Sequence, residues 1–233
     1  MLRGVCVAWA VLTALSVMAL ADDSLPAGVM PVGLARIDIT PDFPVRLAGY
    51  AGRMDEATEV VERLWGKAIA IGADGGDGPA VLILLDNCSA TGSLAGELAA
   101  RLQEKAAIRP ERCVVASTHT HSAPLLPEFA SWHYTAPMPA EHTAHMDRYR
   151  SELADKLEKV ALDALAARKP ARLAWSQGTV AFGVNRRRLE DGKWVGFLPR
   201  DASESPGPVD RSLPVLRVTD LDGKLMGFVA NYA

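Results

Sequence analysis

The stretch Val81-Leu-Ile-Leu-Leu-Asp86 is a continuous apolar run, and it decides the fold that we expect. Such a run is typical of a strand buried on both faces of a sheet. Residues 93–107 then place apolar side chains at helical spacing, and Arg109-Pro110 ends that helix. A second buried strand begins at Cys113-Val-Val-Ala116. The order strand, helix, strand predicts a right-handed βαβ unit whose two strands are parallel.

Polar residues follow both strands of this unit. Asp86-Asn87 comes directly after the first strand, and Ser117-Thr-His-Thr-His121 after the second. Ligands of open α/β sheets bind beyond the carboxyl ends of the strands. We therefore expect these two segments to meet at one edge of the sheet and to form a site.

The rest of the chain extends the same sheet. Further strands are predicted at residues 32–40, 67–72, 171–175, 215–219 and 225–232, and a long amphipathic helix at 146–168. Residues 67–72 and 79–86 form one hairpin, and the last two strands form another. The predicted fold class is α/β: a mixed sheet containing a parallel βαβ unit, with a metal site at the carboxyl ends of the strands. Because the chain stops inside the last predicted strand, we expect a truncated domain.

The N-terminus carries the pattern of a secretory signal peptide. Arg3 precedes an apolar run at residues 5–20, and the small-residue pattern Ala19-Leu20-Ala21 closes it. A membrane anchor needs about 20 apolar residues, and this run is shorter. We predict that residues 1–21 are a signal peptide cleaved after Ala21, and that residues 22–233 are secreted or periplasmic.

The net charge indicates which classes of partner to expect, and the cysteine positions indicate whether a disulfide can form. The formal net charge is -3, whereas nucleic-acid-binding proteins usually carry a basic face, so no nucleic-acid partner is expected, and no protein partner is predicted. Cys6 leaves with the signal peptide. Cys88 and Cys113 lie at opposite ends of neighbouring parallel strands, more than about 10 Å apart, which is beyond the reach of a disulfide. We predict two buried free thiols.

His119 and His121 are the candidate metal ligands. In an extended segment residues i and i+2 face the same way, so the two imidazoles are predicted to project together. Neutral imidazole is a common zinc ligand, and a catalytic zinc usually has three protein ligands and one open position. Two histidines do not complete that set, but their place at a strand end favours a metal site over two solvent-facing side chains.

Other metal hydrolases also use a His-x-His motif. The metallo-β-lactamase pattern continues with an Asp-His pair, whereas Ser122-Ala123 follows here. Barrel amidohydrolases place the motif on their first strand, whereas here it follows at least three predicted strands. The lactamase pattern does not match this chain, whereas the barrel interpretation is weakened by the position of the motif and stays open.

Two further groups of residues are weaker candidates. His133, His142 and His145 fall in or near the loop at residues 125–146, and loop histidines are more often solvent-exposed than metal-bound. Arg186 belongs to the run Asn185-Arg-Arg-Arg188, in which a guanidinium could bind an anion or stabilise an oxyanion. A run of charges is usually a solvated surface.

Four motifs in this order resemble the neutral, non-lysosomal ceramidase family. They are Val32-Gly-Leu-Ala-Arg-Ile-Asp-Ile-Thr40, Ala48-Gly49-Tyr50, Ser117-Thr-His-Thr-His-Ser-Ala-Pro124 and Gly183-Val-Asn-Arg186. The resemblance covers nearly all of residues 22–233, but only the N-terminal part of the family's catalytic domain. It implies a zinc-dependent hydrolase that cleaves the amide bond of a ceramide-like lipid, with peripheral contact to membrane lipid.

The resemblance also assigns roles to individual residues. It makes His119 a ligand of Zn²⁺, His121 a contact of the scissile amide or its tetrahedral intermediate, and Arg186 a group that helps to hold that intermediate. The family's other zinc ligands match no residue up to Ala233, so this chain alone is expected to be inactive.

Two departures from the better-studied members keep other functions open. Ala123 stands where those members tend to have glycine, and Arg187 where serine is usual. The alternatives are an exported metal-dependent hydrolase of other amides or esters, and an exported binding module without catalytic activity.

Overall fold

The computed structural model describes residues 26–133, 137–196 and 207–232. Its strands are β1 (Val29–Asp38), β2 (Trp65–Ile71), β3 (Ala80–Leu85), β4 (Cys113–Ser117), β5 (Lys169–Thr179), β6 (Arg187–Glu190), β7 (Lys193–Gly196), β8 (Ser212–Thr219) and β9 (Leu225–Ala230). Its α-helices are α1 (Gly92–Ala106), α2 (Pro127–His133) and α3 (Ala140–Ala166). The predicted signal peptide, residues 1–21, lies outside these described residues.

Seven of these strands form one mixed sheet in the order β4-β3-β2-β1-β5-β8-β9. β3 and β4 are parallel, with Val81 opposite Cys113 and Leu85 opposite Ser117. The other neighbouring pairs are antiparallel. Since α1 connects β3 to β4, the predicted α/β class with a parallel βαβ unit is confirmed. The β2–β3 and β8–β9 hairpins are confirmed as well.

Helices α1 and α3 cover one face of the sheet, and the main core lies between them and that face. Alternate residues of β3, namely Val81, Ile83 and Leu85, point into this core. The buried helix residues are Leu94, Leu98 and Leu102 on α1 and Tyr149, Leu153, Leu157, Val160, Ala161 and Ala164 on α3. Each large aliphatic side chain buried in this way stabilises the fold by about 1.5 to 3 kcal/mol.

β1 and α3 approach each other so closely at Gly33 that no side chain fits between them. A Cβ atom at this position would lie 2.0 Å from the carbonyl oxygen of Ala164 and 2.8 Å from the backbone nitrogen of Arg168. Both neighbours are backbone atoms, which cannot rotate aside. Glycine at this position therefore allows the end of α3 to sit directly on the sheet.

The opposite face of the sheet is only partly covered, so the prediction of strands buried on both faces is wrong. Burial alternates along β3, and Val114 on the edge strand β4 is 54% exposed. An apolar run indicates a strand, but it does not show how many of its faces other elements will cover. Leu34, Leu82 and Phe228 line a shallow apolar groove of about 610 Å³ on this face.

Several local features differ from the predictions or add to them. α3 begins at Ala140 instead of residue 146, directly after Pro139, whose extended backbone precedes the first turn. α2 and the β6–β7 hairpin were not predicted. Cys88 and Cys113 are free, as predicted, although Cys113 is only partly buried. Among the described helices, none has both the length and the apolar character that crossing a membrane requires.

Candidate metal centre at the carboxyl ends of β3 and β4

The segments that follow β3 and β4 meet at one edge of the sheet, as the sequence predicted. The backbone N–H of Thr118 donates to the carbonyl oxygen of Leu85 at 3.1 Å. Asn87 is 1% exposed, and its side-chain amide donates to the carbonyl oxygen of Pro124 at 3.0 Å. These two bonds hold residues 118–124 against the end of β3.

His119 and His121 come together at this edge, but not by the predicted route. Their ring centroids are 5.1 Å apart and the ring planes are inclined at 73°. β4 ends at Ser117, and His119 has a left-handed backbone with φ of 56°. The chain therefore bends between the two histidines and does not continue as an extended strand. This conformation costs a non-glycine residue about 1 to 2 kcal/mol, so surrounding contacts must maintain it.

The backbone of Cys88 fixes the tautomer of His119. The Nδ1 atom of His119 lies 2.6 Å from the carbonyl oxygen of Cys88, a distance that requires a proton on Nδ1. The other ring nitrogen, Nε2, then carries the lone pair that can coordinate a metal. A ring N–H donated to a carbonyl oxygen in this way is the usual orienting contact of a metal-binding histidine.

A thiol completes a cluster of three metal-binding side chains. Sγ of Cys88 lies 3.8 Å from Nδ1 of His119, and ligand atoms of Cys88, His119 and His121 all lie within 4.8 Å of one another. Cys88 is 3% exposed, and this burial raises the pKa of its thiol. Imidazole nitrogen and thiolate sulphur are donors that suit zinc, so the cluster fits a metal of that kind.

Sequence reasoning predicted Cys88 only as a buried free thiol and missed its place beside the histidines. The signal was present, because Cys88 directly follows Asp86-Asn87 at the strand end where the site was expected. What the sequence did not show is that the backbone of Cys88 turns its carbonyl oxygen and its thiol towards His119.

Residues 44–57 form a second wall of the site, and we call them the 44–57 segment. The backbone N–H of Ala48 donates to the carbonyl oxygen of Ala123 at 3.0 Å. Gly49 lies so close to His121 that a Cβ atom there would be 2.2 Å from Cγ of the ring. The Tyr50 ring meets the His121 ring edge-on, with centroids 4.9 Å apart. His121 is thus enclosed by a segment distant in sequence.

A cleft of about 750 Å³ lies beside the His-Thr-His turn. Its wall includes Thr118, Thr120 and Ser122, the residues that alternate with the two histidines. The histidines themselves are not among the residues that line it. The cleft and the metal-binding cluster therefore lie on different sides of the same short segment.

Arg186, the third predicted site residue, is not in contact with the histidines. It is exposed and lies just before β6, while the Asn185 side chain donates to the carbonyl oxygen of Pro208 at 3.2 Å. Among the described residues, no hydrogen bond, ion pair or ring contact joins Arg186 to His119 or His121. The structure thus unites two of the three predicted site residues.

His142 and His145 lie on the first turns of α3 and not in a loop, and they are partly buried. Their side chains are 19% and 24% exposed, and both face the Glu56 carboxylate. Nδ1 of His145 is 2.9 Å from Oε1 of Glu56. This contact ties the 44–57 segment to α3. The side chain of His133 lies outside the described part of the chain.

Comparison with known proteins supplies a family and a fold. The sequence profile of the family described as neutral/alkaline non-lysosomal ceramidase, N-terminal, matches residues 30–233. The chain is similar in structure to a neutral ceramidase from Pseudomonas aeruginosa, with a TM-score of 0.65 and 22% identity over 89% of this chain and 32% of that one. For a ceramidase complexed with C2, the values are 0.63, 20%, 86% and 30%. The chain thus spans 30–32% of the length of these solved structures, and at such identities the likeness shows the fold.

Proposed function

Because the chain belongs to the neutral/alkaline non-lysosomal ceramidase family, we propose that the complete protein hydrolyses the amide bond of ceramide or a related N-acyl lipid. One observation carries the proposal. Two imidazoles and a thiol converge at the carboxyl ends of the parallel strands, inside the region that the family profile matches. This is the edge of an α/β sheet at which ligands bind.

Zinc is the metal that suits the imidazole of His119, the proposed ligand in this cluster. His119 would hold it through Nε2, because the proton on Nδ1 is committed to the carbonyl oxygen of Cys88. When bound, zinc supplies Lewis acidity that polarises a carbonyl group. Sγ of Cys88 lies 3.8 Å from Nδ1, the nitrogen already committed to the Cys88 carbonyl oxygen, so the thiol is not assigned as a ligand of a zinc held on Nε2.

His121 is the proposed substrate contact. Its ring lies beside that of His119 and is only partly buried, so a carbonyl group held near His119 is within reach of its N–H. Such a donor stabilises the negative charge that develops on the amide oxygen, and removal of one donor typically lowers turnover about 100- to 1,000-fold. Arg186 is proposed as a second donor because it belongs to the Asn-Arg motif and its guanidinium is exposed.

The location that suits this function is outside the cytoplasm. The signal-peptide pattern at residues 1–21 supports export to the periplasm or the medium. A lipid substrate supports peripheral contact with membrane lipid.

The departures from the family pattern favour a second candidate function. Ala123, which is fully buried, stands where better-studied members tend to have glycine, and Arg187 stands where serine is usual. An exported metal-dependent hydrolase of other amides or esters would keep the same metal centre and differ only in substrate. Substrate profiling distinguishes it from a ceramidase.

The deciding experiment is hydrolysis of a fluorogenic short-chain ceramide by the protein expressed from the complete reading frame. The assay is run with zinc present, after a chelator has removed it, and after zinc is restored. Loss and recovery of cleavage support the proposal. A folded, zinc-loaded protein that leaves ceramide intact but cleaves another amide or ester supports the second candidate. A folded protein that binds no zinc contradicts both and indicates a binding module.

Substitutions test the separate roles of the site residues. We expect His119→Ala to lose both zinc and turnover, and His121→Ala to lose turnover while zinc content stays near that of the wild type. Equal zinc loss in the two variants would contradict this division of roles. For Arg186→Ala the matched control is Arg187→Ala, since the two arginines are neighbours and both are exposed. An equal effect of these two substitutions would reject a specific role for Arg186.

A further inference from the structure

We infer that Arg53 is a positioning residue that holds His121 in its working orientation, an inference that rests on the proposed role of His121 in substrate contact. Nη1 of Arg53 donates to the carbonyl oxygen of His121 at 2.5 Å and lies 3.5 Å from that of Ala48. One guanidinium therefore joins the backbone of the turn at residues 119–121, which we call the histidine turn, to the backbone of the 44–57 segment.

Arg53 also acts on the His121 ring through Tyr50. The guanidinium carbon lies 4.6 Å from the centre of the Tyr50 ring, in a cation–π contact. The same tyrosine ring meets the His121 ring edge-on at 4.9 Å. Arg53 thus fixes the backbone of His121 directly and limits the rotation of its ring through an aromatic neighbour.

The backbone of the histidine turn needs support at this point. It leaves the sheet ladder after Thr118 and pairs with the 44–57 segment again at Ala123. Between these two anchors lies the left-handed backbone of His119. The bond from Arg53 to His121 is made inside this bend, where the chain has the least support from regular secondary structure.

The 44–57 segment is itself held firmly enough to serve as a platform. Val45 and Ala57 pair in an antiparallel bridge, and the buried guanidinium of Arg46 donates to the carbonyl oxygen of Met54. Glu56 binds His145 on α3. Arg53 therefore projects from a closed loop that is attached to a helix of the main core.

An arginine side chain can donate a hydrogen bond to the His121 backbone and stack on the Tyr50 ring at the same time, and a lysine side chain cannot. A planar guanidinium can stack on an aromatic ring while its N–H groups donate hydrogen bonds in the plane, whereas an ammonium is a compact, strongly hydrated charge without a flat face. Arg53→Lys keeps the charge and most of the length but loses this geometry. Arg53→Met removes the charge as well.

We expect both variants of the full-length protein to lower kcat about 10- to 100-fold, because a misplacement of about 1 Å can cost that much in rate. KM is expected to change little, and zinc content should stay at the wild-type level, since Arg53, in the described part of the chain, contacts Ala48, Tyr50 and the backbone of His121. The control is Arg148→Met, which also removes a guanidinium stacked on an aromatic ring, 3.9 Å from the centre of Phe43, but on α3 and outside the 44–57 segment.

A second measurement separates this inference from the proposed function. The ¹H–¹³C signals of the His121 ring are recorded in the wild type, in Arg53→Lys, in Arg53→Met and in Arg148→Met. A shifted or broadened His121 signal in a folded Arg53 variant, and an unchanged one in the control, supports the role of Arg53. If the wild type fails to cleave ceramide while this signal still moves, the positioning role stands and the ceramidase proposal fails.

Two results would overturn the inference. One is an unchanged His121 signal together with wild-type kcat in both Arg53 variants. The other is an equal effect in Arg148→Met, which would show that the loss of any stacked guanidinium disturbs the protein. If Arg53→Met does not fold, Arg53→Lys decides alone, because it preserves the positive charge of the segment.

Discussion

Gly49→Ala should disable the site without dismantling the fold. Gly49 has φ of 96°, and an added Cβ would lie 2.2 Å from Cγ and 2.5 Å from Nδ1 of His121. To reach ordinary contact at 3.4 Å, the His121 ring must retreat by about 1.2 Å. A displacement of about 1 Å can lower turnover roughly 100-fold. The positive φ adds about 1 to 3 kcal/mol of backbone strain.

The assay for Gly49→Ala combines turnover, zinc content and thermal unfolding of the full-length protein. We expect kcat to fall about 100-fold, zinc content to be retained because His119 is untouched, and Tm to fall because of the backbone strain at this position. Gly52→Ala is the matched control, because Gly52 lies in the same segment with nothing within 4 Å of an added Cβ. Normal turnover in a folded Gly49→Ala, or an equal loss in Gly52→Ala, would refute the argument.

Three further predictions concern stability and processing. Hydrogen bonds from Lys105 and Arg101 lower the pKa of Glu158, so Glu158→Gln should destabilise the protein by about 1.5 kcal/mol. This contribution is complete above the ordinary pKa of 4.5 and vanishes as pH falls through the lowered value, so Tm measured against pH should show the two proteins converging in acid. Gly96→Ala, at an exposed interior position of α1, should raise the free energy of unfolding by up to about 1 kcal/mol in urea titrations. Mass spectrometry of the exported protein should show cleavage after Ala21; an intact N-terminus would contradict the signal peptide.

The core of the fold could be predicted because its pattern is local. The apolar spacing of α1 and the apolar runs of β3 and β4 lie within about 40 residues, and the handedness rule then fixes their arrangement. Coverage of the sheet was not predictable in the same way. Whether Val114 is buried depends on which elements pack on β4, and nothing in the run Cys113-Val-Val-Ala116 records that.

The location of the site could be predicted from the sequence, but the arrangement of its side chains could not. Strand ends and residue chemistry identified His119 and His121, whereas the bend that brings their rings together depends on a backbone angle that no spacing rule supplies. The contact between Arg53 and His121 spans 68 positions of sequence, so neither motif nor periodicity pointed to it. For Cys88, the sequence indicates a buried free thiol near the strand end, but no local pattern shows that this thiol faces His119.

The left-handed backbone at His119 limits how this centre can be transplanted into another scaffold. A His-Thr-His tripeptide grafted onto the end of a straight strand would place the Cα atoms of its two histidines about 6.5 to 7 Å apart. It would lack the turn that inclines one ring against the other. A working graft also needs a carbonyl group placed as that of Cys88 is, and a facing loop with glycine at the point of closest approach. A transfer of this site would therefore require three segments: the end of β3 with Cys88, the histidine turn and the 44–57 segment. The sheet edge must hold them in the same relative positions.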